Sequence, residues 1–101
     1  MIKESYVSMW KKLPVDAVKV RVARPSVLSP SLGLFHMYRE GRISWEAFDT
    51  LFRKEVLGNP KAVAELKRLK QLSLEKDVYL ICYEKTFPCH RFILLDLMKT
   101  L

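Results

Sequence analysis

Between Ile81 and Phe92 the sequence reads ICYEKTFPCHRF, which holds both cysteines of the chain, one of its two histidines and an arginine. Residue types of this kind at this spacing point to three chemistries. A thiol beside an imidazole can act as a nucleophile. Thiols and imidazole together can hold a soft metal ion. An arginine at the start of a helix can grip an anion together with the exposed backbone amides. The anion reading rests on a broken rule. From about Pro88 the pattern is helical, and its first turn carries Cys89, His90 and Arg91, with Lys85 just before it. Cations at the positive end of a helix are disfavoured by a few tenths of a kcal/mol or more, so Asp or Glu normally stands there. A bound phosphate or carboxylate resolves that conflict, and a local rule broken in this way points toward function. The plainer alternative is that Glu84 pairs with Arg91 and fixes a strand–helix junction.

The other two chemistries meet an obstacle in spacing. Cys89 in a first helical turn feels the helix dipole and Arg91, and both favour the thiolate. Neighbouring helical residues point about 100° apart, however, which leaves His90 badly placed to deprotonate Cys89. Cys82, inside an apolar strand, reads as a small core residue. A metal site would need Cys82, Cys89, His90 and a fourth ligand such as Glu84 or His36. There is no paired C-x₂-C, and the same adjacency problem applies, so no metal is expected and no cofactor is called for. His36 reads as a packed helix residue.

The elements that must position these groups follow from periodicity. AVKVRVA (residues 17–23) alternates as a half-buried strand and is stopped by Arg24-Pro25. SVLSPS is turn chemistry, with Ser31 capping a short helix through Glu40 and Gly41 beyond it. Ser44 caps the next helix, whose stripe is Trp45, Phe48, Leu51, Phe52 and Val56. Asn59-Pro60 opens a third, burying Val63, Leu66 and Leu69 and leaving Lys61, Lys67, Arg68 and Lys70 away from the core. VYLICY is apolar throughout, as an interior strand covered on both faces would be. The opening stretch fits either helix or strand. The order predicts an α/β fold: a small single domain over residues 1–101, with a short, mainly parallel sheet of about three strands flanked by about four helices. Ligands in such sheets sit beyond the carboxyl ends of the strands. Here those ends are Ala23–Ser26 and Cys82–Lys85, so Arg24 and Glu84 should share one sheet edge.

Composition adds the partner class. Of 101 residues, 18 are Lys or Arg and 11 Asp or Glu, giving a net charge of +7. Such a field attracts anions, nucleic acid first among them. If it is one patch, Lys61, Lys67, Arg68 and Lys70 join Arg24 and Arg91; otherwise it is scattered solubilising charge. No apolar stretch approaches the roughly 20 residues of a membrane span. Glu4 and Ser5 stand where a signal peptide would need an apolar run, so no signal peptide is expected, and a cytoplasmic protein without a disulfide framework is expected.

CYEKTFPCHR resembles the C-terminal signature of the family of domain of unknown function 488, the YeaO-like family, which reads roughly C-x-E, a short loop, then C-H-R. VRVARP is similar to that family's second strand running into its arginine. LSPS and MYREGRISWEAFDTLFRKEVL resemble its Ser-Pro-Ser and Gly-x-Ile-Ser-Trp-Glu segments. MIKESYVSMWKKLP is similar to the opening strand of its archaeal members, which implies a strand at the start. The resemblance marks Arg24, Ser31, Trp45, Cys82, Glu84, Cys89, His90 and Arg91 as motif positions. One departure is the loop after Arg24, which is short beside the family's. The resemblance implies a fold and a marked site but no reaction. The leading expectation is an anion-binding module for nucleic acid or a nucleotide phosphate. Arg24, Ser31, Glu84 and Arg91 are its candidate binding residues. The alternatives are a thiol-dependent enzyme with Cys89 and His90 as catalytic candidates, and a protein–protein interaction module using Tyr6 and Trp10.

Overall fold

The computed structural model describes residues 1–23, 26–83 and 89–101. Three strands, β1 (Ile2–Tyr6), β2 (Val18–Arg21) and β3 (Val78–Cys82), form one parallel sheet in the order β1-β3-β2. β3 is central, with Ile2 and Val18 both in register with Val78. Its near-continuous apolar run follows from that position, since Val78, Leu80, Ile81 and Cys82 are all buried. In β2 Val18 and Val20 pack against the core as expected, but burial does not alternate strictly: Val18, Lys19 and Val20 are all half-buried and only Arg21 is exposed. The Val22 amide extends the β2 ladder by donating to the Ile81 carbonyl (2.9 Å), and Val22 is fully buried.

The opening stretch is a strand, but a short one. β1 pairs with β3 only as far as Tyr6 opposite Cys82. Beyond Cys82 the partner strand ends, the backbone loses its ladder, and Val7–Lys12 turns into a 3₁₀ helix. Among the described residues, four α-helices complete the fold: α1 (Leu32–Arg39), α2 (Trp45–Leu57), α3 (Pro60–Leu72) and α4 (His90–Met98). The predicted caps are present. Ser44 Oγ accepts from the Ala47 amide (3.1 Å), Asn59 Oδ1 accepts from that of Lys61 (3.0 Å), and Gly41 after α1 takes φ +74°.

Three packing expectations change. Leu51 is exposed rather than part of the α2 stripe, and Ala62 rather than Val63 is buried on α3. α4 begins at His90, so Cys89 is its N-cap in an extended conformation (φ −151°, ψ 146°) and not a first-turn residue. The core joins Leu28, Phe52, Leu66, Leu69, Leu80 and Leu94, all fully buried, between sheet and helices. Among the described residues, no helix is long and apolar enough to cross a membrane.

Candidate functional site at the carboxyl edge of the sheet

Parallel pairing brings the ends of β2 and β3 to one edge, and the start of α4 folds against it. Three buried groups meet there: Cys82 at the end of β3, and Cys89 and His90 at the start of α4. His90 Nδ1 lies 3.9 Å from the Cys82 sulfur and 3.9 Å from the Cys89 sulfur. His90 Nε2 lies 2.8 Å from the carbonyl oxygen of Val22, just past β2. A carbonyl oxygen can only accept, so Nε2 carries the hydrogen. In the neutral ring the Nδ1 lone pair then faces the two sulfurs. The edge of the Phe52 ring holds the imidazole from α2, with centroids 5.5 Å apart at 88°.

The obstacle raised by sequence spacing disappears with the cap geometry. The 100° separation applies to two helical residues. Cys89 precedes the helix on extended backbone, so its sulfur and the neighbouring imidazole turn to the same point. Cys82 is buried as expected for a strand interior, yet it also faces the histidine.

A cleft of about 340 Å³ opens beside this cluster, lined by Ala23, Ser29, Pro30, Phe35, Arg39, Cys82, Tyr83 and His90. Its chemistry is unequal from wall to wall. Cys82 and His90 supply a thiol and an imidazole, aromatic rings come from Phe35 and Tyr83, and Arg39 supplies a guanidinium 5.7 Å above the Phe35 ring. A hollow of similar size, about 330 Å³, lies at the opposite, amino end of the sheet beside Met1, Asp16 and Asp77. Among the described residues, no thiol or imidazole lines it.

Arg91 is placed otherwise. Its side chain is 1% exposed, its Nε donates to Glu4 Oε2 of β1 (2.7 Å), and its guanidinium lies over the Phe92 ring at 4.6 Å. The misplaced cation at the start of α4 therefore meets a carboxylate from within the fold. It does not line the cleft and cannot belong to a surface patch with Lys61, Lys67 and Arg68. Arg24 and Glu84, expected on either side of this edge, lie outside the described residues.

Ser31 is the N-cap of α1, accepting from the Leu34 amide (3.3 Å), while its own amide and hydroxyl both donate to the Glu55 carboxylate (2.9 and 2.5 Å). It thus anchors the Ser29-Pro30 wall of the cleft without lining it. Trp45 stacks on Phe48, which stacks on Phe52, so it supports His90 at two removes. His36 is exposed on α1, against Phe35. Lys70 reaches the Leu101 carbonyl, and Arg68 is held by Glu65 on the same helix.

The family model DUF488-N3a, described as the active DUF488-N3 subclade, matches residues 16–101. The chain belongs to the DUF488 family. The matched span of this DUF488 domain includes β2, β3 and every residue of the Cys82–Cys89–His90 cluster, but begins after β1. The likeness of the opening stretch is therefore not part of the match. No curated protein and no solved structure matches the chain. Sequence reasoning missed Glu4, Arg39, Phe35 and the Val22 carbonyl. The first three sit on elements whose neighbours are set by tertiary packing, and a carbonyl has no residue-type signal at all.

Proposed function

We propose that this DUF488 domain binds a small anionic ligand with a planar apolar part, a mononucleotide being the simplest case, in the cleft at the carboxyl edge of its sheet. The observation that carries this reading is one cleft joining the Arg39 guanidinium, the Phe35 and Tyr83 rings, and the Cys82–His90 pair. A cleft of this size is near the lower bound for a bound small molecule, about 300 Å³. The position is where parallel sheets take ligands. Among the described residues that line the cleft, the cation is Arg39, while the Arg91 charge is met by Glu4. The test is titration of adenosine and uridine monophosphate, and of inorganic phosphate, followed by amide chemical shifts. Expected are shifts at Ala23, Phe35, Cys82 and His90, and about a tenfold weaker affinity in Arg39→Ala, the cost of one charge-assisted contact. Shifts confined to α3, or an unchanged affinity in the variant, overturn the reading.

A second reading, a thiol-dependent enzyme, is favoured by the two sulfurs at 3.9 Å from Nδ1. Because Cys82 lines the cleft and Cys89 is not among its lining residues, the nucleophile in this reading moves from Cys89 to Cys82. Alkylation rate against pH tests it. An apparent pKa near about 8.5, the free-thiol reference, removes the case for an activated thiol.

A further inference from the structure

We infer that Cys82, Cys89 and His90 form a binding site for a thiophilic divalent cation of the zinc type. The donor atoms, the two sulfurs and His90 Nδ1, lie within 4.8 Å of one another, and all three residues are buried. Tetrahedral zinc with bonds of about 2.3 Å to sulfur and 2.0–2.1 Å to nitrogen spaces its ligands about 3.6–3.8 Å apart. The sulfur–nitrogen distances of 3.9 Å are within a few tenths of an ångström of that spacing. The three donors span up to 4.8 Å, so an ion would draw them together by up to about an ångström.

Three further features fit a metal better than they fit a bare thiol pair. The first is tautomer: Nε2–H on the Val22 carbonyl directs the Nδ1 lone pair at the sulfurs. This is the outer-shell arrangement that orients a metal-binding histidine. The second is charge. Two thiolates and one neutral imidazole compensate a divalent ion fully, so the bound cluster carries no net charge into a buried setting. The third is the helix end: Cys89 stands at the N-cap of α4, where the positive end of the helix favours a thiolate.

The site goes beyond the binding reading, and one consequence rests on it. Cys82 and His90 border the cleft, so the ion would stand beside the cleft as a Lewis acid toward whatever binds near Arg39.

The experiment is a cobalt(II) titration of the reduced, metal-stripped full chain. Expected is saturation at one equivalent, with thiolate-to-cobalt charge-transfer absorption and the strong visible bands of a four-coordinate ion. Zinc(II) should displace it. Cys82→Ser and Cys89→Ser should each lower the charge-transfer intensity by about half, since one of two thiolates is lost. His90→Gln should keep the charge transfer and shift the visible bands. Should a variant not fold, the unmodified chain still decides: one equivalent of zinc(II) should slow iodoacetamide labelling of both Cys82 and Cys89 by about tenfold or more, read by peptide mass mapping. Only the weak spectrum of hexa-aquo cobalt, or labelling indifferent to zinc, overturns the inference. The nucleotide titrations use the metal-stripped chain, so loss of the cleft reading and loss of the metal site are separate results.

Discussion

An arginine with its side chain 1% exposed, paired with a carboxylate 36% exposed, sets the energetics at the residue scale. Removing the carboxylate charge weakens a charge-assisted hydrogen bond to a group that cannot move into water. Hydrogen bonds to charged groups contribute about 1.5–3 kcal/mol. Glu4→Gln should therefore lower unfolding stability by about 2 kcal/mol in urea titrations, with the unfolding slope unchanged. A loss under about 0.5 kcal/mol means that the Glu4 carboxylate contributes little to holding Arg91. The histidine makes an independent prediction. Long-range proton–nitrogen spectra of the metal-stripped chain should show His90 with its hydrogen on Nε2, because the Val22 carbonyl selects that tautomer. The opposite tautomer would point an N–H at the sulfurs and remove the donor on which the metal site depends.

At the scale of elements, the site is held by contacts between helices that the sequence displays only in part. Arg53 on α2 bonds Asp49 on its own helix and Asp96 on α4 (2.8 Å), and hydrogen bonding to Asp49 first, then Asp96, holds its guanidinium protonated above the ordinary range. That pairing ties the helix carrying Phe52 to the helix carrying His90. Ser31 and Glu55 tie α1 to α2 in the same way. Ser44→Ala removes a cap alone and should cost about 1 kcal/mol. Ser31→Ala removes a cap and a carboxylate contact, so it should cost measurably more, checked by thermal unfolding of the two variants side by side. Caps, the core-facing valines of β2 and the interior character of β3 were legible because local chemistry dictates them. The parallel pairing followed from element order. The α4 start was expected at about Pro88 and lies at His90, and the state of Cys89 decided the chemistry: with Cys89 read as helical, its sulfur and the imidazole diverge, whereas as an extended cap they converge. The Glu4–Arg91 pair joins positions 87 residues apart, and no periodicity reports such a contact. β1, which supplies Glu4, lies before the matched span yet pairs along the whole of β3.

For the whole molecule the question is whether a net charge of +7 makes a nucleic-acid surface. A continuous patch of Lys61, Lys67, Arg68 and Lys70 with Arg24 and Arg91 would neutralise about four phosphates and give log K a slope against log salt of roughly −3 to −4. The fold removes members of that set. Arg91 is in the core, Lys70 reaches the Leu101 carbonyl, and the Arg68 guanidinium is doubly bonded to Glu65 (2.6 and 3.0 Å). That last pair leaves a mark in both partners: Arg68 holds the Glu65 carboxyl below its ordinary range, and Glu65 raises Arg68. On the described face of α3, Lys61 and Lys67 remain as exposed lysines. Two phosphate contacts predict a slope no steeper than about −2. Arg68→Ala should then leave the slope within about half a unit of the parent, because a phosphate must first displace Glu65. Lys61→Ala with Lys67→Ala should flatten it toward zero without favouring any sequence, since phosphate contacts carry no base information. Titrating a labelled duplex and a single strand at several salt concentrations decides the matter. A slope near −4, flattened by about one unit in Arg68→Ala, would restore the extended patch and move the macromolecular partner back to the front of the functional account.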